Sequence, residues 1–373
     1  MLHGRRGRVG IPRSRSATGA AGLALIGLCA WLPGPSVRAA DGPKIVFLDS
    51  AEAVVALSAD ELQGYFDRLQ PLEMSAKTGR GITGEGLVEQ RAECRRRYLE
   101  ATLDFTSEEI STLVWAVTRI HPHVRRNYPR VVESGWSFLK LDSHIEGGLP
   151  HTLGAHIVLS PRFLAAFAGE SRGPSDDRLW SLGNLLLHEQ IHVVQRRYPR
   201  LFDRLYTGLW GFRKLDSLDS HPWLVEHQVV NPDARHPYWV YQVQTADGSE
   251  WIWPTVVLGQ SRGVRRLLGV PSLARDIRMV AVGLARTENS FLLRLDPAGM
   301  PTVRRLLSFQ EYRAAFPFSM APYHPDEIAA EGFARVVIAE LAQKAQEDGS
   351  PAGAERLDPR TDRLKHWFAT HLD

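Results

Sequence analysis

The stretch LLLHEQIHVVQRRYP, Leu185 to Pro199, governs how the rest of the chain is read. Its leucines and valines recur at helical intervals, which predicts a buried helix from about Ser175 to Arg197 that ends before Pro199. His188, Glu189 and His192 nevertheless sit in its middle. Ionisable groups in an apolar helix cost several kcal/mol, on the order of 2–7 for each unpartnered polar group, so each needs a partner. On a helix, residues four apart lie one above the other on the same face, so the rings of His188 and His192 can converge on one cation. Glu189, about 100° round the helix, can face a water on that cation. The competing reading, core histidines bonded to neighbours, needs a separate partner for each group; one cation satisfies all of them.

A catalytic metal site needs a third protein ligand. Gln195 and Tyr198 stand where the extended pattern HExxHxxGxxH requires Gly and His, which excludes that subclass. The late segment HPDEIAAEGFARVV, His324 to Val337, offers an alternative. Glu327 and Glu331 are four apart and share a helical stripe with Ala334 and Ile338, which turns both carboxylates inward. Two inward carboxylates are costly without a cation.

HExxH is the pattern of zinc peptidases. HEQIH followed far downstream by E-I-A-A-E-G-F-A resembles the gluzincin arrangement of thermolysin-like and related peptidases. That resemblance implies His188, His192 and Glu327 as zinc ligands, Glu189 as general base and Glu331 as the acid that orients a ligand histidine. It covers two helices only. Glu331 stands where Asp is usual, and AEGFA also resembles the NEGFA of zinc aminopeptidases, which would make Glu331 the ligand. Those enzymes place that glutamate much closer to HExxH, which favours Glu327.

The chain of 373 residues is long enough for a sizeable core. Residues 1–39 read as a secretory signal peptide: five arginines before Ser16, the apolar run Ala17–Leu32, then Val37 and Ala39 as small residues before a cut. The apolar run is short for a membrane span, so no stable span is expected once the signal is removed. Cleavage removes six arginines and no acid, leaving 39 of the 45 basic residues against 42 acidic ones. The net charge thus goes from +3 to −3, and no basic stripe argues for nucleic acid. Only Cys94 remains, so no intrachain disulfide can form. The expected location is periplasmic or secreted.

The mature chain reads as one α+β, zincin-like catalytic region, 40–373. Its helical part, 40–130, carries capping-box patterns at Ser58–Glu61 and Thr106–Glu109, and Pro122 is expected to stop the helix that begins near Ser107. Residues 131–210 hold strands at Trp136–Leu141 and Ala155–Ser160, a loop between them, and the HExxH helix. A β-hairpin-rich insertion, 230–307, contains PYWVYQVQTADGSEWIWP with its Asp247-Gly248 turn. The helical part 308–373 begins with another box pattern, Ser308–Glu311, and places Pro325 at a helix start.

Other features carry weaker expectations. Zincins pair extended substrate with an edge strand before the HExxH helix, a role open to His156, Ile157 and Val158 if that strand is an edge. Tyr323, His324 and His151 are candidate transition-state donors. Trp239, Tyr241, Trp251 and Trp253 are expected to line one face of the hairpin, as cross-strand packing or as a platform for an apolar ligand. His121 and His123 read as a solvated turn.

The expected function is peptide-bond hydrolysis with a Zn2+ cofactor and a peptide or protein substrate. Two other classes stay open. The same His/His/Glu set could hold iron for oxygen chemistry, although an oxygenase has no use for the adjacent glutamate. A non-proteolytic binding or assembly module could also retain the scaffold.

Overall fold

Strand β3 (Trp136–Leu141) is the middle of a small mixed sheet in the computed structural model, which describes residues 42–167, 176–246, 248–259, 270–288, 290–348 and 357–373. β1 (Ile45–Phe47) and β5 (His156–Leu159) pair with it in parallel, and β2 (Thr102–Leu103) pairs antiparallel. β4 (His151–Leu153) forms the far edge, antiparallel to β5. Side chains alternate across this sheet. Phe138, Ile157 and Leu159 join the core around the HExxH helix, while Leu139, Leu153 and Val158 face the N-terminal helices. The segment read as the signal peptide lies outside the described residues.

The HExxH helix runs Asp176–Arg197 and buries Leu179, Leu182, Leu186, Ile191 and Val194 in the main core. Gly183 lets it approach two neighbouring helices closely. A Cβ there would meet Ile120 at 3.3 Å and Ile338 at 3.4 Å. Ile338 belongs to the helix Pro325–Glu347, which starts with Pro at its first position as expected and brings Glu327 to the histidines. Among the described residues no helix is long and apolar enough to cross a membrane.

The second sheet is antiparallel. It contains β6 (Arg213–Lys214), β7 (Trp239–Thr245), β8 (Gly248–Leu258), β9 (Ile277–Arg286), β10 (Phe291–Leu293) and β11 (Val303–Arg305). Their order is β10-β9-β8-β7-β6, with β11 also on β9. The expected hairpin is present, with Thr245 paired to Gly248; Asp247 lies outside the described residues. The chain is therefore mixed α and β with small sheets.

Several local expectations are corrected. The helix Ser107–Asn127 continues through Pro122, because Ile120 and Val124 on either side are fully buried and their packing offsets the lost bond. His121 is consequently buried and His123 bonds Glu340 at 2.8 Å, so neither lies in a solvated turn. The Thr106–Glu109 box is present, but Ser58 ends a helix whose box is Asp49–Glu52. Glu311 accepts from the Gln244 amide instead of capping, and its helix begins at Gln310 without a side-chain cap. β5 lies between β3 and β4, so His156, Ile157 and Val158 are interior and cannot pair with a substrate strand. Tyr241 pairs with Ile252 and Gln242 with Trp251, which puts Trp239 and Tyr241 on one face of the hairpin and Trp251 and Trp253 on the other. Trp239, Trp251 and Trp253 are all buried, so there is no single aromatic platform.

Beneath the first sheet lies a buried charged cluster. Glu146 adopts φ +49°, uncommon for a residue with a Cβ. Its carboxylate is held by Lys77 Nζ at 2.9 and 3.0 Å and by the hydroxyls of Tyr98 and Tyr65. Nearby Glu73 accepts from the Val230 amide and is pushed up to about 7, mainly by burial, against the pull of Lys77. A carboxyl raised from 4.5 to about 7 on folding contributes stability that is complete below pH 4.5 and lost as pH rises through 7. Glu73→Gln keeps the acceptor for Val230 and cannot ionise. Denaturant titrations should therefore show the wild type losing on the order of 3 kcal/mol relative to Glu73→Gln between pH 4 and 8. A pH-independent difference would refute the assignment.

Candidate metal centre

His188 and His192 project from one face of the HExxH helix toward the first turn of the helix Pro325–Glu347. Their Nε2 atoms are 3.1 Å apart. Glu327 Oε2 lies 3.3 Å from His188 Nε2 and 3.7 Å from His192 Nε2. Tetrahedral zinc at 2.0–2.2 Å from each ligand implies ligand–ligand edges of about 3.3 Å. The donors are two imidazoles and a carboxylate, a set zinc accepts, so these residues fit the ion on both spacing and chemistry.

Neighbouring residues aim these donors. His192 Nδ1 is 2.8 Å from Gln195 Oε1, and the Gln195 amide donates to the Asp326 carbonyl at 2.8 Å. An Nδ1–H donated to Gln195 leaves the Nε2 lone pair facing Glu327. Asp326 is fully buried and accepts from Tyr206 at 2.6 Å and from the Arg235 amide at 3.2 Å, which anchors the turn that carries Glu327. Arg235 also pairs with Asp203 at 3.1 Å. Glu327 Oε1 accepts from Asn231 at 2.6 Å.

The electrostatics favour positive charge at this point. Burial alone would push His192 down, but the Glu327 and Asp233 carboxylates outweigh it and push it up to about 10. His188 is raised as well, chiefly because its hydrogen bond to Glu327 overcomes burial. Burial would raise Glu327, yet the two imidazoles hold it well below the usual carboxylate range. Burial, and then the Asp233 charge, push Glu189 up to about 8. Glu189 is 3% exposed and its Oε2 has no hydrogen-bond partner among the described residues. A buried carboxylate oxygen without such a partner, beside two imidazoles, is able to accept a proton.

The other expected residues separate. Glu331 accepts from the Met320 amide at 2.7 Å and does not orient a ligand histidine, a role that Gln195 fills for His192. Among the described residues Glu331 is not one of those whose ligand atoms gather within 4.8 Å of the two histidines. Tyr323 lines a small recess with Asn231, and burial followed by the charges of Glu327, Asp233, Glu331 and Glu189 raises its phenol well above 10. His324 is spent on structure, capping its helix by accepting from the Asp326 amide at 3.1 Å and reaching the His236 carbonyl at 2.8 Å. His151 bonds the Leu149 carbonyl at 2.9 Å and lies beside Glu146, outside the donor set.

Asn231, Asp233 and Arg196 have no counterpart among the expected residues. Asp233 Oδ1 accepts from the Thr152 amide at 2.6 Å and its hydroxyl at 2.7 Å, and Arg196 binds Thr152 Oγ1 at 2.6 Å. These contacts cover the outer edge of β4. Glu189, His192 and Asp233 also place ligand atoms within 4.8 Å of one another. The one signal in the chain is V-N-P-D, in which Asn-Pro marks a turn without saying where it docks. A groove of about 760 Å3 lies elsewhere, between Arg213–Ser217 and Arg286–Glu288. A recess of about 20 Å3 touches Asn231, Val256 and Tyr323. Compared with known proteins, the chain matches no family model, no curated protein and no solved structure.

Proposed function

We propose that this chain is an exported, zinc-dependent peptidase with a zincin-like, gluzincin-type site. One observation carries the reading: His188, His192 and Glu327 gather their donor atoms within 3.1–3.7 Å beside a buried Glu189 oxygen that has no partner among the described residues. Zinc, when bound, would polarise a carbonyl and make a water acidic near neutral pH.

The chain's own residues divide the remaining work. His188, His192 and Glu327 would hold the ion, and Gln195 and Asp326 keep His192 and the Glu327 turn in place. Glu189 Oε2 takes a proton from water and returns it to the leaving amine, so no net proton is consumed within the site. The Tyr323 phenol, kept protonated by burial and then by its carboxylate neighbours, donates to the oxygen that gains charge as the carbonyl is attacked. With β5 interior and β4 covered, substrate is held by surfaces other than the strand expected to pair with it.

The test uses mature protein purified from unsupplemented medium. About one zinc per chain and cleavage of members of a broad peptide library are expected, with activity lost to a chelator and restored by zinc. Iron in place of zinc would transfer the site to oxygen chemistry. Stoichiometric zinc with no cleavage would make the chain a binding module.

A further inference from the structure

The turn Val230–Asp233 reaches the candidate centre from a part of the chain with no recognisable metal motif. It is anchored on several sides. The Val230 amide donates to Glu73, the Pro232 carbonyl accepts from Arg196 at 2.8 Å, and Asp233 accepts both the amide and the hydroxyl of Thr152. Between these anchors Asn231 makes two bonds. Its Oδ1 accepts from the Asp233 amide at 2.9 Å and its Nδ2 donates to Glu327 Oε1 at 2.6 Å. The first fixes the side-chain orientation, because only the amide oxygen can accept from an N–H. The nitrogen therefore faces the carboxylate.

A glutamate ligand can offer one oxygen or both, and the choice sets how many positions remain for water and substrate. Glu327 has Oε2 toward both imidazoles and Oε1 engaged by Asn231. We propose that Asn231 is a positioning residue that restricts Glu327 to a single donor oxygen and so keeps a coordination position open. The proposal rests on the metal-site reading above. The buried Glu73 that holds the neighbouring Val230 amide extends this clip to the N-terminal helices.

The experiment compares wild type with Asn231→Ala and Asn231→Asp. The aspartate is nearly isosteric and keeps the acceptor for the Asp233 amide, so the turn is retained while the donor to Glu327 is lost. Zinc affinity is measured by chelator competition, and the visible spectrum of Co2+-loaded protein reports coordination number. The expected results are a zinc affinity roughly 10–100-fold lower in Asn231→Ala and, in both variants, weaker Co2+ bands as Glu327 engages through both oxygens. Metal-free Asn231→Asp should melt below wild type, because a second carboxylate then faces Glu327, with circular dichroism showing the fold retained. Wild-type affinity in Asn231→Ala together with unchanged Co2+ spectra would overturn the proposal. If Asn231→Ala fails to fold, the Asn231→Asp spectrum decides alone. Wild type that binds neither zinc nor Co2+ would remove the metal site itself, and the clip with it.

Discussion

Glu189→Gln is expected to retain zinc and fold while losing peptide hydrolysis by roughly 10²–10⁴-fold. The substitution preserves shape and removes the charge and the capacity to accept a proton. Glu189 Oε2 has no partner among the described residues, so no structural hydrogen bond of that atom is sacrificed. Burial and the Asp233 carboxylate push its carboxyl up, a cost that a neutral amide avoids, so the variant should be at least as stable as wild type without metal. Elemental analysis, circular dichroism and turnover on one cleaved peptide, measured on the same preparation, check all parts of this expectation. Full activity would remove Glu189 from the mechanism, whereas lost zinc would make it a ligand.

His192→Ala is expected to lose the metal. Removal of an outer partner of a ligand already costs about 10–100-fold in affinity, and removal of a ligand costs more. His192 has no solvent exposure, so the variant also leaves a cavity and strands Gln195, whose Oε1 bonds His192 Nδ1. Reduced stability could by itself explain poor metal retention. His188→Ala separates the two effects, since the His188 side chain keeps 17% of its exposure and leaves less of a void. Both variants should emerge from purification with well under one zinc per chain, and His188→Ala should melt close to the metal-free wild type. Stoichiometric zinc in both would exclude the His/His/Glu centre.

The HExxH helix is legible in the chain because its apolar spacing, its polar interruption and the proline after it are all local. The helix that carries Glu327 is legible for a similar reason: Pro325 opens it, and its inward carboxylates at positions 327 and 331 contradict burial unless a cation is near. The choice between Glu327 and Glu331 is not local. It depends on Met320, whose amide holds Glu331, and on Asn231, which reaches Glu327 across the fold. The same limit applies to β5. Its residues alternate as an edge strand's could, and only the intervening HTL segment, too short to stand out from the IEGG loop before it, makes it interior. Pro122 misleads because a helix stop is a local rule, and here burial on both sides overrides it. The tryptophans mislead through register, since a shift by one residue sends a side chain to the other face. Gln195 is informative twice: as a letter it excludes one subclass, and in the fold it orients His192.

Anomalous diffraction at the zinc edge, from crystals of protein purified without added metal, probes the site itself. One strong peak is expected, bounded by His188 Nε2, His192 Nε2 and Glu327 Oε2, with Glu331 still on the Met320 amide. A peak between Glu189 and Asp233, or none at the two histidines, would contradict the His/His/Glu centre.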